Sequence, residues 1–78
     1  MDIDEAEKIA KDFLKKKKNA GFIKIKAVKQ IDSITWQVLG SYGLEGSERL
    51  EANFELQINE NVKKVVSYNF EEMGGAIL

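Results

Sequence analysis

Leu50-Glu51-Ala52-Asn53-Phe54-Glu55-Leu56-Gln57-Ile58 alternates apolar and polar residues without interruption. That period of two belongs to a strand with one face buried and the other in water. The chain then passes through Asn59-Glu60-Asn61 into a second run, in which Val66, Tyr68 and Phe70 resume the alternation. The spacing predicts a β-hairpin with a three-residue loop, Asn61 taking a positive φ and Ile58 opposing Val62. In that register Phe54 faces Val66 and Ala52 faces Tyr68, which turns Val65 to the other side of the sheet.

A second hairpin precedes it. Ile23, Ile25, Ala27 and Ile31 share one parity while Lys24 and Lys26 take the other, and Asp32-Ser33 separates this run from Ile34-Thr35-Trp36-Gln37-Val38. A two-residue turn there pairs Ile31 with Ile34, Ala27 with Val38 and Ile23 with Tyr42, so that inward residues meet inward partners. Tyr42 to Ser47, with Gly43 and Gly46, is expected to be a longer loop to the third strand.

The segment before Phe22 has helical period. Ile3, Ala6, Ile9, Ala10, Phe13 and Leu14 form one stripe, with Lys8, Lys11, Asp12 and Lys15 opposite. Asp2 or Asp4 suits the N-cap, with Glu5 or Glu7 three residues on. Lys15 to Lys18 fall in the last turn, where the helix dipole favours cations. Gly21 suits the left-handed position beyond the C-terminus. Joined by short connections, these elements give an α+β fold: one N-terminal amphipathic helix packed on a four-stranded antiparallel β-meander, strand order 1-2-3-4. Residues 1–70 form a single domain, and 71–78 read as a flexible tail.

Composition narrows the function classes. The chain has 78 residues, no His and no Cys. It is too short for two cores and has no disulfide to support a small one. Zinc, haem and iron–sulfur ligand sets built on those residues are excluded, as are Ser-His-Asp and Cys-His nucleophiles. No cofactor motif is present, and a non-catalytic protein is expected. The start has neither the basic nor the apolar region of an export signal, and no apolar run reaches membrane-spanning length. The expectation is a soluble, cytoplasmic protein without membrane association. Abundant Lys and Glu agree with a thermophilic source.

The leading helix, the Trp36-Gln37-Val38 strand and the closing Phe54-Glu55-Leu56-Gln57-Ile58-Asn59-Glu60-Asn61-Val62-Lys63-Lys64-Val65 hairpin together resemble PepSY-type, cystatin-like modules. Asn61 stands where that family's hairpin carries Gly. The resemblance spans most of residues 3–70 and implies a binding or inhibitory module. It transfers no catalytic residue.

Several clusters are candidate sites. Lys15, Lys16, Lys17 and Lys18, with Lys24, Lys26 and Lys29, put a balance of +4 on residues 1–30, against −5 on residues 31–78. Such clustering can track phosphates, which makes weak, non-specific nucleic-acid binding the alternative function. A solvated helix end accounts for the same residues, and no RNA-binding or helix-turn-helix motif accompanies them. Val28, Leu39 and Val65 have the parity of the open sheet face and form the candidate self-association patch of a homodimer. Trp36 has core parity and is expected to pack against Phe54. Gly40, Gly43 and Gly46 read as turn residues, since no Lys-Ser/Thr pair or helix follows them. Glu45, Glu48, Glu51 and Glu55 lack metal-loop spacing and read as solvated. Gly74-Gly75 and the terminal Ala76-Ile77-Leu78 offer a diglycine and a C-terminal docking peptide, with a plain tail the simpler reading. The leading functional expectation is a small non-catalytic interaction module that binds protein, itself included.

Overall fold

The computed structural model describes residues 1–46 and 52–72. Helix α1 (Ile3–Lys18) is followed by β1 (Ala20–Gln30), β2 (Thr35–Leu44), β3 (Ala52–Asn59) and β4 (Lys64–Glu72). The strands form one antiparallel sheet in the order β1-β2-β3-β4. This is the expected α+β meander. Its last strand reaches Glu72, two residues beyond the expected end. Leu50, Glu51, Glu48 and the Gly74 to Leu78 segment lie outside the described residues.

The helix starts where its sequence dictates. Asp2 is the N-cap, and its Oδ1 accepts the Glu5 backbone N–H at 2.8 Å, satisfying one of the donors that a helix start leaves free. At the other end Asn19, at φ 53°, takes the left-handed position expected of Gly21, and its N–H reaches the Leu14 carbonyl. Asn tolerates this conformation, so the chain turns as soon as the lysine run ends. Gly21 has a different task inside β1: a Cβ there would stand 2.9 Å from the Glu45 backbone nitrogen.

The two hairpins keep the expected pairing direction but not the expected register, because the first loop has three residues in place of two and the second has four, Glu60 to Lys63, in place of Asn59 to Asn61. In the first, the Ile31 N–H donates to the Thr35 carbonyl at 2.9 Å, and Asp32 Oδ1 accepts from the Ile34 N–H at 2.9 Å. Asp32, Ser33 and Ile34 therefore form the turn, and Ile31 and Ile34 are exposed rather than paired inward. A register shift between Ile25 and Ala27 absorbs the extra residue. Ile23 pairs with Tyr42 as expected, but Val28, not Ala27, pairs with Val38.

The β3–β4 loop has four residues, Glu60 to Lys63. Asn59 Oδ1 accepts the N–H groups of Asn61 (2.8 Å) and Val62 (3.2 Å), and the Lys63 N–H closes on the Asn59 carbonyl at 2.7 Å. The positive φ thus falls on Lys63 (55°), not on Asn61. Phe54 pairs with Phe70, Leu56 with Tyr68 and Ile58 with Val65, and a shift between Gln57 and Ile58 leaves Val66 as the extra residue of β4.

The core lies between α1 and one sheet face: Ala6, Ala10 and Leu14 from the helix, Trp36, Val38 and Tyr42 from β2, and Ala52, Phe54, Leu56 and Ile58 from β3. Every second residue of β3 is buried, as its alternation requires. Gly40 sits within β2, not in a turn, and is buried where the backbones crowd. A Cβ there would collide with the Lys24 carbonyl and lie 2.8 Å from Phe54 Cζ. Phe54 thus packs over Gly40, its partner in β3–β2 pairing, while Trp36 pairs with Ile58.

Candidate interaction edge

Three surfaces carry the residues singled out in the sequence. On the sheet face away from the helix, Lys26 Nζ (3.5 Å) and Ser41 Oγ (2.9 Å) both donate to Asn53 Oδ1, and Gln37 Nε2 donates to Glu55 Oε2 at 3.0 Å. These cross-strand groups cover one another so closely that Ser41 is only 1% exposed. The face is a satisfied polar ladder. Of its three self-association candidates only Leu39, half-buried, remains there. Val28 and Val65 pack against the core instead, since the hairpin loops set a register that reverses parity as far as the irregularity in each strand.

The lysines are likewise divided. Ile23 and Ile25 pack against the core on the helix side, so Lys24 between them projects to the opposite face, as does Lys26 on Asn53. Lys15 to Lys18 end the helix on the other side of the sheet. Within that run, Lys17 Nζ stands 4.9 Å from the centre of the Tyr68 ring and Lys18 Nζ 4.6 Å from that of Phe70. Two of the four lysines therefore bind the helix end to β4. Lys15 and Lys16 are exposed. The six polyanion candidates form no single continuous stripe.

The third surface is the outer margin of β4. The inner face of β4 is only partly covered by α1: Tyr68, which strand parity predicts to lie in the core, is 47% exposed. Its ring packs 5.4 Å from Phe13 and 5.2 Å from Phe70, and Phe70 meets Tyr42 edge-on at 5.9 Å. Beside it runs a groove of about 280 Å³, floored by Ile9, Phe13 and Val65 and rimmed by Lys16, Lys63, Lys64 and Asp12. Val66, raised by the irregularity in β4, is 60% exposed. Sequence parity missed this surface; its signal was a strand with uncharged residues from Val66 to Phe70 at the end of the sheet order.

Glu60 joins the hairpin ends beside this groove. Its Oε1 accepts the Trp36 indole N–H at 2.9 Å and lies 3.5 Å from the Met1 amino group. The Trp36 hydrogen bond, followed by the amino group and Lys63, holds the Glu60 carboxyl below its ordinary pKa. Asp32 is also lowered, first by the Ile34 N–H and then by Thr35. Lys63 Nζ pairs with Glu5 Oε2 at 3.1 Å, an exposed contact that adds little.

Among the described residues no group of His, Cys, Asp or Glu side chains is arranged to hold a metal ion, and no helix is long and apolar enough to cross a membrane. Glu45 is exposed, and Glu55 is engaged by Gln37. The chain matches no protein-family model, no curated protein and no solved structure.

Proposed function

We propose that this protein is a non-catalytic protein-interaction module whose docking surface is the β4 edge together with the α1–β4 groove. The observation that carries the reading is the exposed Val66 and half-exposed Tyr68 on a terminal strand, next to apolar groove residues with no covering element among the described residues. An exposed strand edge offers backbone donors and acceptors to a partner strand, and adjacent pockets select its side chains. The PepSY-type, cystatin-like resemblance agrees with a binding or inhibitory role.

Nucleic-acid binding has less support. The division of Lys15–Lys18 from Lys24 and Lys26 by the sheet leaves each face only a few cations for a phosphate backbone.

Photo-crosslinking tests the reading. Benzoylphenylalanine placed at Tyr68 should yield discrete protein adducts in lysate of the source cells, while the same group at Lys24 should yield few. Equal labelling from both positions, or adducts mainly to nucleic acid, would remove the β4 edge as the functional surface.

A further inference from the structure

We infer that the partner of the β4 edge is a second copy of the chain, joined antiparallel, β4 to β4, across a twofold axis near Tyr68. This inference rests on the interaction reading above and names its partner.

The charge order of β4 carries it. The strand begins at Lys64, follows Lys63 in the loop, runs uncharged from Val66 to Phe70, and ends in Glu71-Glu72. An antiparallel copy places the basic end of one strand beside the acidic end of the other, twice by symmetry, with the uncharged stretch between. A parallel copy would instead set like against like. Tyr68 is the midpoint of Lys64–Glu72 and so falls next to the axis.

Side-chain direction is consistent with this. Lys64 pairs with Asn59 and Glu71 with Asn53, and both asparagines alternate with buried β3 residues, so Lys64 and Glu71 project from the same outer face. Both are exposed. Once the extra residue Val66 is absorbed, Lys64 of one copy lies opposite Glu71 of the other. Tyr68 of one copy meets Tyr68 of the other on the inner face, where it and Phe70 pair with buried β3 residues, and the exposed Val66 lies beside Phe70 of the other copy, extending the apolar surface that begins in the α1–β4 groove. The other terminal strand lacks this symmetry: β1 carries lysines at 24, 26 and 29 and no acid.

Sedimentation equilibrium of the intact chain should show a dimer. Lys64→Glu and Glu71→Lys should each weaken it about tenfold or more, because each sets like charges opposite one another at two symmetry-related places. Mixing the two variants should form a one-to-one heterodimer, and the double variant Lys64→Glu/Glu71→Lys should regain the homodimer. Amide exchange in the unsubstituted protein supplies a second measure: protection at Val66 to Phe70 should rise with protein concentration. A strict monomer at millimolar concentration, or a dimer indifferent to both substitutions, would overturn the self-pairing. Failure of the mixture to associate would overturn the antiparallel arrangement. Protein adducts at Tyr68 from a strictly monomeric chain would leave the interaction reading standing with a different partner, so the two proposals fail separately.

Discussion

β1 and β4 both end the sheet, yet they are built differently. β1 has three lysines in eleven residues and two register irregularities, and the helix lies close to it. Charge on the edge and bulges that twist it away are the devices by which sheets discourage further pairing. β4 has one irregularity and an uncharged centre, and its aromatic inner face is half-covered. The difference shows that a one-helix, four-strand domain need not treat its edges alike. Where one helix leaves the inner face of an edge strand half-covered, that edge keeps both backbone and apolar surface available.

The sharpest way to break the comparison is to compare the shared core with the open margin. Phe54, on a central strand, is 3% exposed, and replacing it by Ala should cost about 3–5 kcal/mol in chemical denaturation. Tyr68→Ala should cost about 1–2 kcal/mol, since roughly half of its surface is already in water. Equal costs would mean that β4 is as deeply packed as β3, and the open-edge description would fall.

A smaller effect should be confined to the closed side. Gly40→Ala pushes a methyl group toward the Lys24 carbonyl and Phe54, and overpacking of this kind costs about 1–3 kcal/mol. Because the backbone atom it meets belongs to β1, amide exchange should accelerate in β1 while β4 protection changes little. Uniform acceleration across the sheet would show that the two edges open together.

The elements themselves were legible from local chemistry. The Asp2 cap, the helical stripe and the alternation of β3 each follow from residue type and period. The register was not, because it depends on loop residue count and placement, and the Asp32 and Asn59 side chains draw the backbone into turns one residue longer than spacing alone predicts. Each change of register is absorbed by an irregularity within a strand, which leaves no fixed mark in the sequence, and parity is reversed between the loop and that irregularity. That is why Val28 and Val65 moved from the open face to the core, and why the interaction candidates moved from the face to the edge.

The hairpin ends respond to pH in one direction. Both Glu60 and Asp32 have pKa values lowered in the folded protein, so folding favours their charged forms. Their contribution is fully present above the unfolded-state pKa and is lost as pH falls through the lowered folded-state values. The thermal midpoint should therefore decline on acidification below the usual carboxylate range. Glu60→Gln should flatten part of that decline, and Trp36→Phe should do the same by removing the donor. A Glu60→Gln profile parallel to the unsubstituted one would show that the Trp36–Glu60 contact contributes nothing measurable at the β4 end of the sheet.

The smallest effect concerns polyanions, and it separates the two faces once more. Lys15 and Lys16 on the helix and the exposed Lys63 beside the groove offer about three phosphate contacts on one side, since Lys17 and Lys18 are held over aromatic rings. Three contacts give a salt slope of about −2.7, so affinity should drop about fortyfold between roughly 50 and 200 mM salt. Fluorescence anisotropy with labelled DNA and RNA at those two concentrations measures this directly. Reversing Lys15 and Lys16 should remove most of the weak binding, whereas reversing Lys24 and Lys26 should remove little, because the sheet stands between the two groups. A slope near −6, with both reversals equally damaging, would mean that the nucleic acid wraps around the β1 edge and engages both faces. Function would then move to the edge that its own lysines close to other strands.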